Sequence, residues 1–170
     1  MRERPPSTHT GWPELDEQIG GWPCPGVAAI HGAVGTGRLG IVLPALQKHS
    51  QAGRTVAVVD PLSWCHPPGL PGVDLRHLML VRCGSTQAGW AAIQIATSGA
   101  VPLVVLLDPP RLGRDAVRLM RATESGRSTA IVLMEKPDPQ FAVSVRIQTL
   151  GDRRIQVDRG APGKPTLTLP

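Results

Sequence analysis

Runs of almost unbroken apolar residues recur along the chain: 27–31, TVAVVD at 55–60, LMLVRC at 78–83, LVVLLD at 103–108 and TAIVLM at 129–134. Each is too short for a helix and is bounded by Gly, Pro or charged residues, which predicts strands buried on both faces. Between them the apolar positions switch to helical spacing. Residues 39, 42, 43 and 46 share one face of a predicted helix over 38–51, in which Pro44 predicts a kink or confinement to the opening turns. STQAGWAAIQIATSG at 85–99 reads as a helix with Ser85 as its N-cap and Gly99 as its stop. A further helix covers 112–125, and WPELDEQIGG reads as a short helix ended by Gly20 and Gly21. After residue 134 the pattern turns to strand-like segments: FAVSVRIQTL and RRIQVDR, separated by Gly-Asp, predict a hairpin.

Strands alternating with helices predict an α/β fold with a mostly parallel sheet flanked by helices. The C-terminal antiparallel hairpin extends one edge. The expected organisation is a flexible N-terminus over 1–10, one core domain over 11–160, and a tail over 161–170 that is loose or a marginal edge strand. PLSWCHPPGLPG at 61–72 reads as a proline-rich loop.

With 170 residues the chain suits one domain with a substantial core. Its single Phe and lack of Tyr leave the core to Val, Leu, Ile and Ala. No apolar run is long enough to predict a membrane span, and MRERPPSTHT does not read as a signal peptide. Cys24, Cys65 and Cys83 lack metal-ligand spacing and read as reduced thiols of a cytoplasmic protein. Cys65-His66 alone does not read as a metal site. Trp12, Trp22, Trp64 and Trp90 are core candidates, and Trp64, inside the proline-rich loop, is also a candidate partner anchor.

The segment HGAVGTGRLG at 31–40 nearly matches a phosphate-binding loop. Gly32, Gly35 and Gly37 follow a predicted strand and precede a predicted helix, the context in which backbone N–H groups surround phosphates. A nucleotide-hydrolysing loop continues with Lys, whose slim ammonium reaches the β- and γ-phosphates, and with a hydroxyl that ligates Mg²⁺. Arg38 and Leu39 stand there instead. The broad guanidinium fits a narrow loop poorly, and leucine ligates no metal. Asp108 ends its strand where a second metal-binding acid is expected, or it caps the turn before Pro109 and Pro110. Asp60 ends another strand, but no carboxylate follows within reach to activate a water. The expectation is a vestigial phosphate loop with no catalytic residue, no metal and no cofactor used productively.

The order of these features resembles the RecA family. HTGWPELDEQIGG is similar to the segment before that family's ATP loop, and GVAAIHGAVGTGRLG to the loop and its strand. GRTVAVVD, GVDLRHLMLVRC and SGAVPLVVLLD resemble the next landmarks, over about 10–150. The position matching the catalytic glutamate is Leu62, and Glu135 falls near a nucleotide-sensing glutamine. The connections after LLDPP and AIVLMEK are too short to hold DNA-binding loops. GWPELD, the degraded loop and PPGLPGVDLRHL resemble ImuA, a family also labelled SulA-like. That resemblance implies a non-catalytic accessory in SOS-induced translesion synthesis and mutagenesis. The implied partners are ImuB, an inactive Y-family polymerase relative, or RecA. The alternatives are a weakly active RecA-superfamily NTPase that binds DNA, or a SulA-like division inhibitor.

Charge adds one surface. The net charge of +5 arises wholly from residues 111–170, which hold eleven Lys/Arg against six Asp/Glu. Arg111, Arg114, Arg118 and Arg121 recur at helical spacing on one face. Arg127, Arg146, Arg153, Arg154 and Arg159 are expected to extend it. Such a face contacts phosphates or an acidic partner, or is simply solvated. Any DNA binding there would be weak, sequence-blind and salt-dependent.

Overall fold

The structure is a computed structural model that describes residues 7–170. Its elements run β1 (Ser7–Thr8), α1 (Pro13–Ile19), β2 (Trp22–Pro23), β3 (Gly26–His31), α2 (Arg38–Gln51), β4 (Val56–Val59) and β5 (Leu78–Val81). They continue α3 (Ala88–Thr97), β6 (Leu103–Leu107), α4 (Arg114–Gly126), β7 (Thr129–Met134), β8 (Val145–Gly151), β9 (Arg154–Arg159) and β10 (Thr166–Thr168). The large sheet has eight strands in the order β10-β9-β8-β3-β7-β6-β4-β5. The pairs from β8 through β3, β7, β6 and β4 to β5 are parallel, whereas β8–β9 and β9–β10 are antiparallel. The sheet is therefore mixed, with its antiparallel part confined to the C-terminal edge.

Strand alternation divides the core in two. Ala28, Ile30, Val56, Val58, Val105 and Ile131 face α2, which buries Ile41, Val42, Ala45 and Leu46 against them. Val27, Ala29, Val104, Leu106 and Val132 face the other way, under Ala92 and Ala96 of α3 and Leu119 and Ala122 of α4. Central strands covered on both sides have no polar face to show, which is why they read as unbroken apolar runs.

Pro44 does not shorten α2, which runs its full length through the proline. Buried residues on both sides of Pro44 anchor the helix, and the ring packs against Gly11, where any Cβ would collide with Pro44 Cβ. Tertiary burial there outweighs the roughly 3 kcal/mol that an interior proline costs. Ser85 caps no helix: it opens a 3-10 turn, Ser85–Gln87, that leads into α3. Gly99, at φ +71, does follow α3 closely.

The hairpin turn lies one residue later than Gly-Asp suggests. Gly151 pairs with Arg154, so Asp152 and Arg153 form the two-residue connection, at φ +50 and +59. The tail is not loose: β10 pairs with β9, and Leu169 is buried. The expectation of a flexible N-terminus falls partly on residues 1–6, outside the described residues. Over 7–10 it is corrected, because β1 pairs with β2, Ser7 Oγ donates to the Gly20 carbonyl and Thr10 is fully buried. Among the described residues no helix is long and apolar enough to cross a membrane.

Candidate functional site

The loop between β3 and α2 lies at the C-terminal end of the parallel strands, where open α/β sheets present their ligand crevice. Gly35 and Gly37 hold φ +85 and +88, and no side chain caps the start of α2. Both glycines therefore take conformations that other residues rarely adopt. Gly32 is glycine for a different reason. A Cβ there would collide with Thr149 Oγ1 on β8, so the loop and that strand touch backbone to side chain. Thr36 Oγ1 closes the contact at 2.5 Å from Thr149 Oγ1.

Arg38 lines the cleft beside the glycine loop, with its guanidinium committed to a partner. Helical side chains lean toward the helix N-terminus, and Arg38, in the first turn of α2, reaches back to the end of β6. Its Nη1 and Nη2 donate to Asp108 Oδ1 and Oδ2 at 2.5 and 3.0 Å. The pair is sheltered, with side chains 8 % and 17 % exposed. Asp108 takes a left-handed φ of +39, a conformation Asp tolerates better than most residues. It is thus neither a turn cap nor a free metal ligand: both carboxylate oxygens are held by the guanidinium in a fork-to-fork arrangement. The positive charge that the loop would lend to a nucleotide is neutralised inside the protein.

Asp60 is also engaged. It is fully buried at the end of β4, and its two oxygens accept from the backbone N–H groups of Trp64 and Cys65 at 3.0 and 2.8 Å. Its role is to cap the turn that starts the proline-rich loop. Burial, followed by the Asp60 carboxylate, pushes the Cys65 thiol upward from its ordinary value, which keeps it protonated and unreactive. Between the glycine loop and this turn lies a cleft of about 420 Å³ that includes Arg38, Asp108 and Asp60. Its rim is apolar: Val34, Leu62 and Trp64 are 57 %, 41 % and 58 % exposed. Within the cleft Arg38 and Asp108 satisfy each other, and positions 39 and 62 carry leucines, which ligate no metal.

The basic residues do not form one surface. Arg111 precedes α4, and its Nε lies 3.4 Å from Asp138. Arg114, Arg118 and Arg121 do share the exposed face of α4, with Arg118 Nη1 3.3 Å from Asp115. Arg146 turns inward and donates to the carbonyls of Asp138 and Phe141, pinning the connection between β7 and β8. Arg153 and Arg154 stand at the hairpin tip and line a hollow against α2. Trp22 is core, as expected. Trp12 is half-buried and donates to the Ile41 carbonyl at 2.9 Å. Trp90 is not core but 62 % exposed on α3, and Trp64 is likewise exposed.

Sequence reasoning missed the Arg38–Asp108 pair, whose partners stand 70 residues apart. The signal was present in two separate oddities: an arginine where the loop wants lysine, and a strand-terminal acid left without a metal. Compared with known protein families and with curated proteins, the chain matches no family model and no curated relative.

Proposed function

We propose that this protein is a non-catalytic, RecA-like adaptor of the ImuA type, acting in the cytoplasm during SOS-induced translesion synthesis. It works through protein contacts, with ImuB or with RecA, and without ATP turnover. The observation that carries the non-catalytic part is the bidentate Arg38–Asp108 pair. It occupies with an internal ion pair the place where lysine, Mg²⁺ and an acid would share a nucleotide. The exposed apolar rim at Val34, Leu62 and Trp64 supports contact with protein. The pathway and the partners rest on the motifs that resemble ImuA.

The intact glycine geometry favours one second reading, weak anion or nucleotide binding without hydrolysis. Thermal unfolding with and without millimolar ATP–Mg²⁺, beside a phosphate-release assay, separates the readings. Ligand present at 100 times its Kd adds about 2.7 kcal/mol of stability. The adaptor reading expects neither a stability gain nor phosphate release, together with saturable binding to purified ImuB or RecA. Phosphate release abolished by Arg38→Ala overturns it.

A further inference from the structure

A second hollow, of about 370 Å³, runs between α2 and the tip of the β8–β9 hairpin. Its floor is apolar, formed by Leu43 and Pro44 of α2 with Ile155 and Leu169 from the C-terminal edge. Its rim carries Arg153 and Arg154, both exposed, and no Asp or Glu lines it. Among the described residues neither arginine lies in an ion pair.

The turn that presents these arginines is conformationally costly. Asp152 and Arg153 both hold positive φ, a geometry for which Asn-Gly is preferred. An arginine there keeps a strained backbone at the rim of the groove. Strain retained under an exposed, unpaired cation suggests a functional constraint at the tip.

We propose that this groove binds a peptide segment of a partner protein in which one or two large apolar side chains are flanked by carboxylates. The apolar anchors fill the floor, and the carboxylates meet Arg153 and Arg154. This deepens the adaptor reading and rests on it. The floor argues against nucleic acid as occupant. Its four apolar side chains are aliphatic, and Trp12, the one aromatic residue in the lining, is half-buried, which leaves bases little ring face to stack on. A purely phosphate-binding rim would need no apolar floor.

The test selects a library of random phage-displayed dodecapeptides on the whole protein and measures the enriched peptides by fluorescence anisotropy. The expected peptides combine large apolar residues with carboxylates and shift the methyl resonances of Leu43, Ile155 and Leu169. Binding weakens as salt rises, and the exposed double substitution Arg153→Glu with Arg154→Glu weakens it roughly tenfold or more. That variant keeps the wild-type melting temperature, so weaker binding does not reflect unfolding. Four results overturn the proposal: no enrichment, enriched peptides without carboxylates, equal affinity for the double variant, or shifts confined to other methyls. A labelled oligonucleotide, or a second copy of this chain, perturbing the same methyls in place of such peptides also overturns it. Phosphate release would instead overturn the adaptor reading while leaving the peptide measurements to be read independently.

Discussion

Replacing Arg38 with alanine removes two charge-assisted hydrogen bonds and strands the Asp108 carboxylate in a sheltered cleft. Breaking one side of a buried ion pair costs about 3–5 kcal/mol, and a hydrogen bond to a charged group contributes about 1.5–3 kcal/mol. Asp108 keeps some contact with solvent, so the loss should lie near 2–4 kcal/mol by the same considerations. For a chain of this size that lowers the melting temperature by roughly 5–15 °C. Arg38→Met combined with Asp108→Asn removes both charges together while keeping a residue that tolerates the left-handed φ, and should fall within about 1.5 kcal/mol of the native protein. Urea unfolding of the native protein, Arg38→Met, Asp108→Asn and their double variant then forms a cycle, with a coupling energy expected to be at least about 2 kcal/mol. A phosphate-binding arginine behaves differently. If Arg38→Ala unfolds within about 0.5 kcal/mol of the native protein, the pair is not what holds the loop. If ATP–Mg²⁺ also stabilises the native protein but not this variant, Arg38 serves a nucleotide and the reasoning fails.

Gly32→Ala should cost roughly 2–3 kcal/mol, because its methyl meets the side chain and carbonyl of Thr149. Gly35→Ala meets no atom and should cost only about 1 kcal/mol for its positive φ; equal losses in chemical denaturation would contradict this. His49 is buried on α2, and burial, then Arg54 and Lys48, lower its pKa from 6.5 to about 4. The unfolded chain takes up this proton first, so the stability is complete above pH 6.5 and drains away as pH falls toward 4, by up to about 3 kcal/mol. His49→Gln should flatten that stretch of the stability–pH curve, and an unchanged slope would clear His49 of the effect. Charge reversal of Arg114, Arg118 and Arg121 should leave stability within about 0.5 kcal/mol. If α4 meets DNA phosphates, the reversal should lower the log-affinity against log-salt slope by about 0.9 for each phosphate no longer neutralised; an unchanged slope places any DNA elsewhere.

The amino-acid pattern alone determined the α/β layout, because a strand covered by helices on both faces can carry almost no polar residue. β3, β4, β6 and β7 are legible for that reason, as is the glycine loop between a strand and a helix. The hairpin is legible from its change of period, to within one residue at the turn. Only tertiary structure decided what the charged residues do. Arg38 and Asp108 meet because α2 begins beside the end of β6, a proximity set by strand order rather than by spacing along the chain. The arginines of α4 and of the hairpin tip read as one stripe in the sequence, yet Arg153 and Arg154 line a hollow beside α2, a helix that packs on the other side of the sheet from α4. Pro44 lies in an unbroken helix because the residues on both sides of it are buried against the sheet, and the tail became β10 because Ile155 and its neighbours offered a strand edge. Burial propensity is a local property of each segment and survives in one dimension, whereas the partner of a charge, a proline ring or a strand edge depends on register and packing across the whole sheet.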